Sequence, residues 1–405
     1  MDMTKWMMMA GLVISMAAPA GAIDLVFDYS LDTYEFSDGT VGFFNKFPEA
    51  KADLELAGRV FERFQDNLAA IEPSSTADPI DVDPFTGPYD VWAALISHPG
   101  TGQSNYRLAG LTIAEDTVVV YAGGRNLGGS TLGVGGGGGY STFVGTDFET
   151  TLKTRGQGTI DEVTGVDAVE IAPWGGSISF DTVDGSGAER LWNFGAAPTS
   201  ADVDESDFLS VAIHELAHLM GFSFSTPSFA NQVSGGQFTG VAAEYYNDGP
   251  VALAGDLSHF AEGTLSEVRG VTQETAMDPS LRSLNGISDR KLFTDLDYAV
   301  MRDLGWMVPL IGDANVDGSV DIADLVRLSQ NFGVDEGVDW IEGDFNLDGI
   351  VDIADLVLLS QNYGQEDPLS PSSASVSAAS APEPGTLGML GVITMLIAKR
   401  RRRTC

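Results

Sequence analysis

The stretch that decides the fold reads His214-Glu215-Leu216-Ala217-His218-Leu219-Met220-Gly221. An acidic run at residues 204–207 precedes it and supplies N-cap and first-turn carboxylates, so the sequence predicts a helix that begins there and ends at Gly221. Residues four apart project from one face of a helix, so the imidazoles of His214 and His218 can bind a single zinc ion. Glu215 lies beside them, where a carboxylate can accept a proton from zinc-bound water.

A catalytic zinc site needs a third protein ligand and leaves one position for water. The chain contains four histidines, and only His98 and His259 lie outside the helix. His98 precedes a proline and has the pattern of an ordinary loop residue, which makes His259 the predicted third ligand. Two carboxylates remain as alternatives, Glu262 and Glu244, and Glu244 stands in a helical pattern.

The residues that follow the helix have an informative order. His218-x-x-Gly221 begins the metzincin zinc-binding pattern, although Phe224 stands where its third histidine is expected; His259 comes much later, and then Met277 in an Ala-Met-Asp-Pro turn. This order resembles the leishmanolysin-like metzincins, in which an insertion separates the glycine from the third ligand. The resemblance implies a mixed sheet on an active-site helix and an irregular lower subdomain. It also implies these site residues: zinc ligands His214, His218 and His259, general base Glu215, and Met277 in a Met-turn that supports the ligands by packing. A gluzincin-type peptidase with Glu244 as third ligand is the alternative.

A repeat follows the predicted zinc domain. Residues 312–333 align without gaps to residues 343–364, and all but five positions are identical. Each copy opens with Asp-x-Asn-x-Asp-Gly and has aspartates at loop positions 9 and 12, which is the oxygen-ligand spacing of an EF-hand calcium loop. Position 7 contributes a backbone carbonyl in such loops. The predicted calcium ligands are Asp313, Asn315, Asp317, Ser319, Asp321 and Asp324, then Asp344, Asn346, Asp348, Ile350, Asp352 and Asp355.

Each loop is followed by one helix, and Pro309 and Gly312 leave no room for an entering helix before Asp313. Two loop–helix halves in tandem resemble a type I dockerin. The resemblance implies two structural calcium ions, a small all-α module over residues 312–365 and a cohesin-type protein partner. Loop positions 10 and 11, which help to set partner choice in dockerins, are Ile-Ala in both copies. A calcium-rigidified spacer is the alternative.

The two ends of the chain have the composition of processing signals. Residues 1–22 combine a lysine, an apolar run and Ala-Gly-Ala, which predicts a secretory signal peptide, with a buried first helix as the alternative. Residues 366–381 are predicted to form a disordered linker. Residues 382–405 run from Pro-Glu-Pro through the apolar segment 385–398 to an arginine-rich end, and they resemble a PEP-CTERM sorting signal processed by an exosortase. Fourteen helical residues span about 21 Å, short of the roughly 30 Å hydrocarbon core, so the segment predicts transient membrane association, with a plain anchor as the alternative.

Composition limits the remaining possibilities. The 405 residues include 58 acidic and 21 basic side chains, a formal charge of −37, which excludes an electrostatic nucleic-acid binder. The single cysteine excludes an intrachain disulfide.

Periodicity in the first half predicts a helix over residues 49–71 and strands over residues 118–121 and 177–180. The second strand precedes the histidine helix and is the expected edge strand for pairing with an extended substrate. The glycine-rich residues 123–139 are expected to form a flexible rim loop.

Together these features predict an α+β chain with a metzincin-like zinc protease domain over residues 23–308 and a dockerin over residues 312–365. The predicted activity is hydrolysis of peptide bonds in proteins or peptides by an exported enzyme of the cell surface or extracellular matrix. A non-catalytic surface protein with a structural zinc, and a zinc hydrolase that acts on other substrates, are the alternatives.

Overall fold

The computed structural model describes part of the chain, namely residues 21–73, 92–142, 146–281, 283–284, 287–335 and 337–369. The predicted signal peptide apart from Gly21 and Ala22, most of the predicted linker and the whole predicted sorting tail lie outside these ranges.

The described residues form both helices and several separate sheets, so the chain belongs to the α+β class that the sequence predicts. The helices are α1 Phe43–Lys46, α2 Glu49–Glu62, α3 Thr146–Thr154, α4 Ile160–Thr164, α5 Phe208–Leu219, α6 Pro227–Ala230, α7 Val241–Asn247, α8 Asp295–Asp303, α9 Ile322–Asn331 and α10 Ile353–Asn362, with a 3-10 turn at Trp340–Glu342. The strands are β1 Gly21–Ala22, β2 Asp24–Asp28, β3 Gln65–Asp66, β4 Trp92–Ile96, β5 Tyr106–Ala109, β6 Thr117–Arg125, β7 Gly133–Gly137, β8 Gly139–Thr142, β9 Gly175–Asp181, β10 Trp192–Asn193, β11 Ser206–Asp207, β12 Val233–Ser234, β13 Gln237–Phe238, β14 Val251–Ala252, β15 Leu265–Val268, β16 Val271–Glu274, β17 Ser283–Leu284 and β18 Ile287–Ser288.

The central sheet has the strand order β2-β6-β9-β7. Strands β2, β6 and β9 are parallel to one another, and β7 runs antiparallel to β9. The whole length of β9 and most of β6 are buried, as parallel strands covered on both faces must be. The strands predicted at residues 118–121 and 177–180 are confirmed, each inside a longer strand.

The predicted position of residues 177–180 at the edge of the sheet is wrong. Strand β9 lies between β6 and β7 and is hydrogen-bonded on both sides. The edge strand is β7, which precedes β9 in the chain and pairs antiparallel with it, with Val134 opposite Ser179 and Gly136 opposite Ser177. A run of glycines therefore occupies the position expected of residues 177–180.

The expectation of a flexible rim loop at residues 123–139 is wrong in part. Residues 123–125 complete β6, residues 133–137 form β7 and residue 139 begins β8, whereas residues 126–132 form a loop between β6 and β7. A Cβ atom at Gly133 would lie 2.5 Å from Oε1 of Glu215, and one at Gly135 would lie 2.2 Å from the backbone oxygen of Glu215. Only glycine lets the edge strand approach α5 so closely, so the glycines here serve packing.

Helix α2 packs against α5. Its buried face includes Leu54, Ala57 and Phe61. The helix predicted to run to residue 71 ends at Glu62. Sequence periodicity continues past this point, but the backbone bonds elsewhere: the carbonyl of Phe64 accepts from the N–H of Ile23, and the N–H of Gln65 donates to the carbonyl of Met307.

Residues 310–359 contain a small core of their own. Its buried members come from both repeats and from the segment between them: Ala314, Val320, Leu328, Trp340, Phe345, Val351, Leu358 and Leu359.

Arg63, the C-cap of α2, joins this module to the rest of the chain. Its Nε and Nη2 donate to the carbonyl of Pro309 over 3.1 and 2.7 Å, and its guanidinium lies 4.4 Å from the ring centre of Tyr298 and 5.1 Å from that of Trp340.

The first residues of the predicted linker 366–381 have ordered partners. Glu366 forms an isolated bridge with Ser319, and the carboxylate of Asp367 lies 2.6 Å from Nη2 of Arg302 on α8. The ordered part therefore extends past residue 365. It is held by a single β-bridge and an ion pair, neither of which can be predicted from composition.

None of the helices in the described ranges is both long and apolar enough to cross a membrane. The apolar segment 385–398 is outside those ranges.

Candidate metal centre

The start of α5 is fixed by Asp207, the N-cap, as the acidic run predicts. Its Oδ2 accepts hydrogen bonds from the backbone N–H and the hydroxyl of Ser210. Its Oδ1 lies 2.6 Å from Nη2 of Arg290, an ion pair in which the carboxylate is buried. This pair fixes the helix start and so the direction in which the two histidines of α5 project.

His214, His218 and His259 converge. Each pair of Nε2 atoms in this triad is 3.1 Å apart. Within the ranges that the structure describes, they form the one group of three or more His, Cys, Asp or Glu side chains whose ligand atoms all lie within 4.8 Å of one another. The structure thus brings together the three zinc ligands that the sequence predicts.

Hydrogen bonds at the outer ring nitrogens fix the tautomer of each histidine. Nδ1 of His214 lies 2.8 Å from the carbonyl of Ala276, Nδ1 of His218 lies 2.6 Å from the carbonyl of Phe222, and Nδ1 of His259 lies 2.7 Å from Oδ2 of Asp256. Carbonyl and carboxylate oxygens only accept, so each Nδ1 must carry the proton. Burial and the neighbouring imidazoles lower the pKa of His214 and His218, which keeps both rings neutral.

The inner nitrogens of His214 and His218 therefore present unprotonated lone pairs to one point, which Nε2 of His259 also faces. Without a proton between them the 3.1 Å contact of His214 with His218 is not a hydrogen bond, and the two lone pairs repel each other unless a cation lies beside them. Three nitrogens bound tetrahedrally to zinc at about 2.0–2.1 Å lie roughly 3.3 Å apart. The donor set, its tautomers and its spacing fit a zinc ion.

The alternative third ligands lie elsewhere. Glu244 is on α7, and Glu262 accepts a hydrogen bond from the hydroxyl of Ser280; neither belongs to the histidine group. The remaining histidine, His98, uses Nδ1 to accept from the backbone N–H of Gly100 and packs edge-on against Tyr106.

Met277 is fully buried in the turn beside the histidines, where the sequence places a Met-turn. The turn is held by a residue that sequence reasoning missed, Asp297 in the first turn of α8. Its Oδ2 accepts from the N–H of Ala276 over 3.0 Å and its Oδ1 from that of Met277 over 3.1 Å. The carbonyl of Ala276 orients the imidazole of His214, so Asp297, which holds Ala276, positions this candidate metal ligand indirectly. The capping spacing Thr294-x-x-Asp297 was the available signal.

Glu215 is buried beside the triad and points toward the edge strand. The backbone N–H of Gly135 donates to its carboxylate, and burial raises its pKa to about 8. A cavity of about 720 Å³ adjoins the carboxylate and the three imidazoles. Its walls come from residues 130–135 before and within β7, from the start of α5, and from residues 278–281 after the methionine turn. A substrate in this cavity would contact the edge strand, the triad and Glu215 together.

The two repeat loops bury four aspartates, at loop positions 1 and 12: Asp313, Asp324, Asp344 and Asp355. None of the ion pairs found among the described residues includes them. Burial, together with neighbouring carboxylates, raises the pKa of Asp313 and of Asp344 to about 6. Buried carboxylates that lack a compensating cation fit a hard divalent ion such as calcium.

The other predicted calcium ligands make hydrogen bonds within their loops. The amide of Asn315 donates to Asp317, and that of Asn346 donates to Asp348, both over 2.9 Å. At position 9 the side chains turn to their helices: Asp321 accepts from the N–H of Ala323, and Asp352 from that of Ala354. Ser319 and Ile350, at position 7, each donate a backbone N–H to the position-5 aspartate of their loop. Calcium coordination by these residues stays a prediction.

No family model matches the chain, and no curated protein and no solved structure matches it either.

Proposed function

We propose that the chain is an exported, zinc-dependent endopeptidase of the metzincin type. The observation that carries the proposal is the set of three histidines with protonated, anchored Nδ1 atoms and converging Nε2 atoms, next to a buried glutamate. A zinc ion held there would supply a Lewis acid that polarises a scissile carbonyl and acidifies a water molecule. The positive charge of that ion would lower the raised pKa of Glu215 and favour its ionised form. The carboxylate would then be placed to accept the proton of that water and to deliver it to the leaving nitrogen.

The edge strand supports a peptide as the substrate. Strand β7 pairs with β9 on one side, and residues 133–135 line the cavity beside Glu215. An extended peptide can add to the free side of such a strand through backbone hydrogen bonds, which need no particular side chains. This arrangement favours peptide bonds over the other classes of substrate for a zinc hydrolase.

A purely structural zinc is the weaker reading. Structural zinc sites usually have four protein ligands, whereas the described residues provide three that face a large cavity. A structural site also has no use for a buried glutamate beside the ligands. The cavity and Glu215 therefore favour catalysis.

We further propose that the two repeats bind calcium and form a dockerin-like module, because each loop buries two carboxylates that accept backbone N–H groups and belong to none of the ion pairs found among the described residues. Ile322 and Ile353, at loop position 10, are 59% and 62% exposed and offer a surface for a cohesin-type partner. Export by the signal peptide, and sorting to the cell surface or matrix by the tail with exosortase processing, remain proposals from the sequence.

The function is tested by incubating the mature protein with an unfolded protein substrate and following fragments by mass spectrometry, with calcium held constant. Cleavage should stop with 1,10-phenanthroline, which removes zinc, and return when zinc is added. The isomer 1,7-phenanthroline does not chelate and is the matched control. Cleavage that persists in the chelator rejects a zinc peptidase, and absence of cleavage in every sample favours the structural-zinc alternative.

A further inference from the structure

The two nearly identical repeats have different surroundings. The first loop pairs with the end of its own module: the N–H of Val320 donates to the carbonyl of Gln365 over 2.9 Å, and that of Asp367 to the carbonyl of Gly318 over 2.7 Å. Among the described residues, its links to the catalytic half (residues 23–308) are indirect: Asp367 forms an ion pair with Arg302, and Trp340, which donates to the carbonyl of Asp313, lies against Arg63. The second loop contacts the catalytic half itself, through two arginines.

Both arginines donate to main-chain carbonyls of the second loop. Nη1 of Arg59 lies 3.4 Å from the carbonyl of Leu347, and Nη2 of Arg269 lies 3.3 Å from the carbonyl of Asn346. Arg59 also lies over the loop turn, since a Cβ atom at Gly349 would be 2.8 Å from its Nη1. The loop is seated against the catalytic half by guanidinium groups and by a glycine that leaves room for one of them.

The two arginines belong to elements that position the candidate active site. Arg59 is on α2, which packs against α5. Arg269 is at the tip of the β15–β16 hairpin, and β16 continues into Ala276, whose carbonyl accepts from Nδ1 of His214. Leu209 and Ile213 of α5 line a cavity of about 310 Å³ that the second loop closes. Arg59 therefore lies on the helix next to the one that carries His214 and His218. Arg269 lies in the hairpin that leads to the hydrogen-bond partner of His214.

We propose that the second repeat is an internal docking module whose partner is the catalytic half of the same chain, and that calcium in its loop holds it there. The proposal rests on calcium binding as given in the proposed function. Asp344 and Asp355 are both buried in the loop, and Oδ1 of Asp355 accepts from the N–H groups of Phe345 and Asn346, the two residues that follow Asp344. A divalent ion bound by both carboxylates would offset their charges and fix the carbonyls that Arg59 and Arg269 contact. Without the ion the loop opens. Helix α2 and the β15–β16 hairpin then lose the contacts that Arg59 and Arg269 make with the loop carbonyls.

Hydrogen–deuterium exchange of the mature protein, compared in calcium and in EGTA, tests this coupling without relying on activity. Calcium at 100 times its dissociation constant slows an opening that releases the ion by about 100-fold. Peptides covering α2, α5 and the β15–β16 hairpin should exchange faster in EGTA by up to that factor. Unchanged exchange in these three peptides overturns the proposal.

The near-identical repeats provide matched variants. Asp344→Asn, in the second loop, should remove most of the calcium effect in α2 and the hairpin. Asp313→Asn, at the same position of the first loop, should leave it largely in place. Equal effects of the two variants contradict a role specific to the second loop.

Arg269→Met separates docking from folding of the loop, because it leaves every proposed calcium ligand intact. It should still bind two calcium ions by calorimetry, while exchange in the hairpin becomes fast in calcium as well as in EGTA. Protection of the hairpin that remains calcium-dependent in this variant contradicts docking through Arg269. EGTA also binds zinc, so free zinc is held equal in the two samples by a zinc–EGTA buffer. The readouts then do not depend on zinc or on cleavage, so the docking proposal can fail while the peptidase proposal stands, and the reverse.

Discussion

Glu215→Gln is expected to abolish peptide hydrolysis while zinc stays bound. The amide keeps the size of the side chain and an oxygen that can accept from the N–H of Gly135, but it cannot take a proton. Loss of a general base lowers rates by about 10²- to 10⁴-fold, so kcat should fall by that amount with little change in KM. Steady-state kinetics on a peptide substrate, with zinc analysis of the same sample, measures both quantities.

The matched control is Glu244→Gln, which changes a glutamate of the same half of the chain that lies outside the histidine group. This variant should keep its zinc and its kcat. Loss of zinc in Glu244→Gln would support the gluzincin alternative. A kcat for Glu215→Gln within about tenfold of the wild type would contradict the assignment of the base.

The second large effect is expected from Gly135→Ala. The added methyl would lie 2.2 Å from the backbone oxygen and 2.8 Å from the backbone carbon of Glu215, and backbone atoms of a buried helix cannot turn aside as a flexible side chain can. Overpacking of this kind costs about 1–3 kcal/mol of folding free energy. It also pushes away the strand that donates to the carboxylate, and a shift of about 1 Å in catalytic geometry can lower the rate about 10²-fold.

Gly136→Ala is the control for this substitution, because no heavy atom lies within 4 Å of its added Cβ. It removes one glycine from the same strand and should leave activity close to that of the wild type. The melting temperature of each variant is measured beside its kcat/KM. Equal losses in Gly135→Ala and Gly136→Ala would contradict close packing of the strand on α5.

The convergence of the three histidines was predictable because their signals are local or rest on scarcity. The spacing of His214 and His218 on an apolar, capped helix requires no knowledge of the rest of the chain. His259 could be selected because so few histidines are present. The α+β class followed in the same way from separate periodic segments, and the burial of Met277 agrees with its predicted place in a turn.

The features that the sequence did not predict depend on distant contacts. Glycine disfavours strands, so the position of β7 at the edge of the sheet appears only when α5 is packed against it. Asp297 lies in a capping pattern, but its bonds to Ala276 and Met277 join segments that are apart in sequence. The end of α2 at Glu62 likewise depends on the backbone bonds of Phe64 to Ile23 and of Gln65 to Met307, which are distant in sequence. Local patterns do not encode these long-range partners.

The measurement that tests the central claim most directly is the zinc content of the purified protein and of His259→Ala, by inductively coupled plasma mass spectrometry. The wild type should hold one zinc ion per chain, and His259→Ala should lose it on dialysis, because only two of the three converging nitrogens remain. His98→Ala, which removes the histidine that lies outside the triad, should keep one zinc ion. Retention of a full equivalent of zinc by His259→Ala would contradict the three-histidine site.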